Sequence, residues 1–193
     1  MTMKRIALSL LALALVPLAA CSGTDHSDSA PEQTSHGDGS WTQSYNSISE
    51  LTTDSMTVVV GRVEGTPEIV NAAESGDTVT KSSIYQLRVT SSLKGDSTED
   101  DVLPIRQLGT VKQPAFAPAD AALLESGQTY VLFLNPFYFE RGKPTGQYVI
   151  TGEEGAFRLD GTEAVRTTTR DKLPTRLGEA DLMSQVRDQI SAH

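Results

Sequence analysis

A single cysteine carries the plainest chemical signal in this chain. Cys21 is the only thiol, and Leu18, Ala19 and Ala20 stand directly before it. A thiolate is a strong nucleophile once a neighbouring base or cation lowers its pKa. Nucleophilic catalysis by Cys or Ser needs such a base within hydrogen-bond reach. The sequence holds three histidines, His26, His36 and His193. Two fall in a polar stretch just after Cys21 and one is the final residue of the sequence, so none is suited to a core triad. Ser-His-Asp and Cys-His chemistry are therefore excluded as expectations.

Carboxylates offer the next chemistry. Glu153 and Glu154 sit between Gly152 and Gly155. Two acids held about 5 to 9.5 Å apart can hydrolyse a glycoside. Adjacent glutamates flanked by glycines are also the ordinary composition of a solvated turn, and that plainer reading is the expectation. The same segment is no phosphate loop. It lacks the lysine and the following helix, and its acids repel anions. His26 and His36 alternate with Asp25, Asp28 and Asp38. Imidazole and carboxylate both ligate divalent ions, but the spacing fits no closed site. No metal, no catalytic residue and no cofactor is expected.

The feature with the strongest bearing on binding is Asn135-Pro136-Phe137-Tyr138-Phe139-Glu140-Arg141-Gly142-Lys143-Pro144. In a strand, Phe137 and Phe139 face one way and Tyr138 the other. One of the three must be exposed or covered by an added element. Aromatics beside Arg and Lys suit a protein or glycan partner. Phe137, Tyr138, Phe139 and Arg141 are the candidate partner-binding residues, and packing under a terminal helix is the plainer alternative.

Lys4 and Arg5 precede an apolar run from Ile6 to Leu18. A basic head, an apolar stretch and small residues before a cut form a secretory signal. The run is too short to span a bilayer, which takes about 20 predominantly apolar residues. With Cys21 just after the cut, Leu18-Ala19-Ala20-Cys21 closely resembles the lipobox of bacterial lipoproteins. That resemblance implies a thioether-linked diacylglyceryl group on Cys21, cleavage before it, and acylation of the new amino end. It also implies residence on the extracytoplasmic face of a cell membrane, with the membrane as partner through the lipid. Two or more acyl chains anchor stably where one binds marginally.

Charge agrees with that placement. The full sequence has a net charge of −9, and removal of Lys4 and Arg5 with residues 1–20 brings it to −11. An acidic body lacks the basic footprint that nucleic acids require. With Cys21 acylated, the body has no cysteine left for a disulfide, so its apolar core must hold it. Residues 21–40 are almost free of apolar side chains and read as a tether. A coil of that length has a reach of about 25 Å. Residues 41–193 are a normal size for one domain.

Within that domain, Ser47-Ile48-Ser49-Glu50 has the form of a capping box. Tyr45, Ile48 and Leu51 recur every three residues, which predicts a short helix ending near Asp54. Met56–Val63 is a β-branched run, and Gly61 within it suggests a bulge or bend. Tyr85, Leu87 and Val89 alternate with polar residues as a half-buried strand does. Val102–Leu108 is a further strand whose Pro104 requires an edge, a strand start or a bulge. Gly109–Ala122 reads as an irregular crossing, with a helical turn over Pro118–Leu124. Thr129–Leu134 is the most apolar segment of the body and predicts a central strand. Gln147–Thr151, Ala156–Leu159 and Glu163–Arg166 are also strands, the last two joined at Asp160-Gly161. Leu182, Met183, Val186 and Ile190 mark one face of a helix over residues 178–191. No βαβ alternation is present. The expected class is mainly β: a small antiparallel OB-like or netrin-like barrel of about six or seven strands with two helices.

The strand Asp54–Val63, then Tyr85–Gly95, Leu124–Leu134 and Tyr148–Leu159 follow an order that resembles small Gram-positive surface lipoproteins of uncharacterised role. The same order resembles netrin-like modules built on an OB-type barrel, which include the tissue inhibitors of metalloproteases. Those modules carry several disulfides, and this body has none to form; the inhibitors use a free N-terminal cysteine, which here would be acylated. Protease inhibition is therefore not carried over. The expectation is a lipid-anchored binding or structural module of the cell envelope, not an enzyme. The alternative is an envelope enzyme or enzyme inhibitor that works with carboxylates.

Overall fold

A computed structural model describes residues 43–73, 80–112, 122–168 and 172–192. The predicted tether, Trp41, the crossing residues 113–121 and Cys21 lie outside them. The two ends of the described body are helical. Helix α1 covers Ile48–Asp54, and the Ser47 hydroxyl accepts the backbone N–H of Glu50. The Glu50 carboxylate reaches back to the N–H of Asn46 at 2.8 Å. That return bond lands one residue earlier than in a capping box. Tyr45, Ile48 and Leu51 are buried, as their three-residue spacing requires. Helix α2 covers Glu179–Ser191 and buries Leu182, Met183 and Val186.

Eight strands form one sheet. They are β1 (Thr57–Asn71), β2 (Lys81–Lys94), β3 (Val102–Leu108), β4 (Thr129–Glu140), β5 (Lys143–Ile150), β6 (Ala156–Asp160), β7 (Glu163–Arg166) and β8 (Arg176–Gly178). The mainly β class holds. The expected six or seven strands become eight because Arg176–Gly178, three residues long, is too short to show periodicity. The expected antiparallel pairing is also corrected to a mixed sheet: β3 and β5 run parallel, with Ile105 opposite Tyr148 and Arg106 opposite Val149. The pairing path β1-β2-β3-β5-β4 returns to β1, where Val59 sits opposite Leu132. Five strands thus close a ring, and β6, β7 and β8 continue from β4. Pro104 stands just before the two residues where β3 meets β5, so its missing N–H falls beside the end of that joint.

Closure explains why Val58-Val59-Val60 and Tyr130–Leu134 are continuous apolar runs. A strand alternates its side chains between two faces, and both faces of β1 and β4 are covered. Val59, Val63, Tyr85, Leu87, Ile105 and Leu132 belong to a cluster drawn from the strands of the ring, its interior. Val58, Val60, Val131 and Phe133 point the other way, against α1 and α2 through Leu51, Leu182 and Val186. Phe133 meets Phe157 edge-on at 6.0 Å between centroids. Each fully buried Val or Leu contributes roughly 1.5–3 kcal/mol. Lys94, from the end of β2, donates to the carbonyl oxygens of Thr52 and Thr53 at 2.6 and 3.2 Å. A cation there satisfies the free carbonyls at the end of α1.

Gly61 marks an irregularity, as its place in a β-branched run suggests: the β1–β2 register shifts between Val60 and Gly61. A Cβ there would lie 2.7 Å from the Arg88 carbonyl oxygen and 2.8 Å from Leu87 Cγ. Gly61→Ala should therefore cost about 1–3 kcal/mol through overpacking. A chemical denaturation midpoint equal to that of the parent protein would contradict this close approach.

Candidate functional site

Beyond the ring, β4 and β5 run on together as a hairpin. Its register shifts twice, between Pro136 and Tyr138 and again between Tyr138 and Glu140. These irregularities leave Phe137 and Phe139 on a shared side, their rings edge-to-face at 4.8 Å. The side chain that gathers them is Arg106 of β3, which is 6% exposed. Its guanidinium carbon lies 4.7 Å from the Phe137 centroid and 5.0 Å from that of Phe139. Both distances fall within the range of a cation–π contact.

The same guanidinium ties three strands together. Nη1 donates to Gln147 Oε1 of β5 at 3.0 Å. Nη2 donates to the carbonyl oxygens of Asn71 and Ala72, at the end of β1, at 2.7 and 3.0 Å. Lys81 Nζ holds the Asn71 side chain at 2.7 Å. Within the hairpin, Thr145 Oγ1 donates to the Phe137 carbonyl at 2.9 Å, and Lys143 pairs with Glu140. The hairpin is thus clamped to the ring through one planar, five-donor group, a role an ammonium could not fill equally.

The predicted contact residues separate accordingly. Phe137 is 4% exposed and packs under Arg106 rather than meeting a partner. This corrects its place among the candidates; the reason is the guanidinium on its face. Phe139 is half-buried beside it, and Arg141 is exposed at the tip. Tyr138 points the other way and is 38% exposed. Sequence reasoning missed Arg106. Its position in an alternating strand beside Pro104 gave no sign that residues about thirty places further along would stack on it.

The acidic turn is corrected as well. Glu154, expected in a solvated turn, is 1% exposed. Gly152 has φ +62°, and a Cβ there would lie 2.6 Å from Glu154 Oε2 and 2.8 Å from Tyr45 Cε2. The glutamate is therefore packed against the residues that lead into α1. Burial and the nearby Asp54 and Glu154 carboxylates hold the Tyr45 phenol above its ordinary range. Beside it, Ser55 Oγ and Thr151 Oγ1 share a 3.0 Å hydrogen bond, and Asn135 Nδ2 donates to Thr151 Oγ1 at 3.1 Å. This polar cluster joins α1 to the base of the hairpin. It is closed to a polymeric substrate, as a glycosidase site is not.

Cys21 lies outside the described residues, as do His26, His36 and His193. Among the described residues no group of three His, Cys, Asp or Glu could hold a metal ion, and no helix is long and apolar enough to cross a membrane. Fold and site together define a class: a mainly β protein with a five-strand ring, an outer helical layer and a clamped aromatic hairpin. No protein-family model and no curated protein matches the sequence.

Proposed function

We propose that this protein is a lipid-anchored binding or structural module of the bacterial cell envelope, held through Cys21 on the extracytoplasmic side. The observation that carries the binding part is the clamp. Arg106, Phe137 and Phe139 stiffen the β4–β5 hairpin from beneath, while Tyr138 and Arg141 stand exposed on it. A contact surface ordered before binding loses less conformational entropy when it engages. The anchoring part is carried by Leu18-Ala19-Ala20-Cys21 and the apolar run before it.

Two experiments test the two parts. Cys21→Ser should lose radiolabelled palmitate and either accumulate as uncleaved precursor or shed protein into the medium; label that persists in this variant removes the lipoprotein reading. For the hairpin, a photo-reactive benzoylphenylalanine at position 138 in intact cells should crosslink to an envelope component. A probe that gives only unmodified monomer in the anchored protein removes the binding reading.

A further inference from the structure

We propose that the β4–β5 hairpin docks on the lipid bilayer itself, with Tyr138 and Met56 entering the headgroup boundary and Arg141 and Lys143 meeting anionic headgroups. The inference rests on the lipid-anchored reading above and names the partner of the same hairpin.

The first support is where the chain from Cys21 joins the body. Gln43, the first described residue, donates from Nε2 to Asp54 Oδ2 at 2.6 Å. The carbonyl of the same Asp54 accepts Asn135 Nδ2 at 3.1 Å. Asn135 lies in β4 at the root of the hairpin, so the lipid-bearing segment and the aromatic hairpin leave the body side by side. Twenty-two residue steps separate Cys21 from Gln43, at most about 75 Å at full stretch. A tether of that length turns hairpin–membrane contact into an intramolecular event, where a surface of low intrinsic affinity suffices.

The second support is what that end exposes. Met56 is 61% exposed, and its backbone N–H bonds to the Leu134 carbonyl at 3.1 Å and to Asn135 Oδ1 at 3.0 Å. It therefore flanks the hairpin root, while Tyr138 is exposed along the hairpin. A tyrosine with an apolar ring and a wet hydroxyl is suited to the membrane–water boundary. Arg141 and Lys143 flank the turn at Gly142, with Glu140 paired to Lys143. Cations at a surface are drawn to anionic lipid. The sequence as a whole is acidic, at −9, so an anionic bilayer repels most of the body and favours approach through this tip.

The test uses the full chain and its only cysteine. Cys21 is coupled to a maleimide lipid in vesicles of phosphatidylcholine with a minority of phosphatidylglycerol, some of it with brominated acyl chains. The protein carries Trp41→Phe, which leaves one indole, introduced by Tyr138→Trp. Brominated lipid should quench that indole at least about twofold more than one introduced by Val111→Trp, an exposed site off the hairpin. The excess should fall with Arg141→Glu and Lys143→Glu together, and in vesicles of phosphatidylcholine alone. Equal quenching at the two sites, with the protein vesicle-bound and its circular dichroism intact, overturns the proposal. An excess that ignores both charge changes overturns the assignment to anionic headgroups. Because the maleimide lipid supplies the anchor, failure here leaves natural lipidation of Cys21 untouched. Failure to label Cys21 in cells, conversely, would not alter the quenching.

Discussion

Leu132→Asp should leave the chain without a cooperative folded state. Leu132 is fully buried in the ring interior, opposite Val59 and beside Ala156 in register. An ionised carboxylate there meets only apolar neighbours, at a cost of several kcal/mol. Domains of this size are stable by only about 5–15 kcal/mol, so one such substitution removes most of the margin. Val59→Asp, directly across the β1–β4 pair, should do the same. The adjacent Phe133→Ala tests the other layer. Its ring packs with Phe157, Leu182 and Val186 on the helix side, and truncation should cost about 3–5 kcal/mol. Circular dichroism melts and urea titration distinguish the outcomes. If Leu132→Asp melts like the parent protein, the two-sided burial of β4 is wrong.

The second large effect should come from Arg106. Arg106→Leu removes three hydrogen bonds and the cation between two rings, and leaves the carbonyls of Asn71 and Ala72 without that donor. Hydrogen bonds to charged groups contribute roughly 1.5–3 kcal/mol each, and they are not additive. A net loss of about 3 kcal/mol is expected, equivalent to roughly a 6–12 °C fall in Tm for a domain of this size. Arg106→Lys keeps the charge but loses the planar fork, and should recover less than half of that loss. Arg141→Ala, at the exposed tip, should change stability by less than about 0.5 kcal/mol. Equal losses in the Arg106 and Arg141 variants would show that the clamp does not hold the hairpin.

These two results bear on the candidate surface in different ways. Leu132 and Val59 concern the frame that all the strands share. Arg106 concerns only how firmly the hairpin is held to that frame, and so how ready Tyr138 is to bind. Amide hydrogen exchange in the Arg106→Leu variant should rise first along Phe137–Gln147, before the ring strands, because local opening is governed by the contacts that each segment keeps.

Local signals determined a good part of this molecule. Tyr45, Ile48 and Leu51 set α1 through their spacing, and Leu182, Met183 and Val186 set α2. The apolar runs at Val58–Val60 and Tyr130–Leu134 announced strands buried on both faces. Asp160-Gly161 closed β6 on β7, and Gly61 marked a register shift. The residues around Cys21 carry the whole case for an anchor. Each of these is written in neighbouring residues, where periodicity and turn chemistry act over a few bonds. Tertiary structure alone decided the rest. The parallel joint of β3 with β5, the docking of β8, the burial of Glu154 against Tyr45, and the seat of Arg106 between Phe137 and Phe139 all join segments distant in sequence. Such pairs share no local period. They form only once ring closure has offset the entropy of bringing the segments together, and that is why the alternating strand at Arg106 and the acid-rich turn at Glu154 read as ordinary surface until the fold placed them.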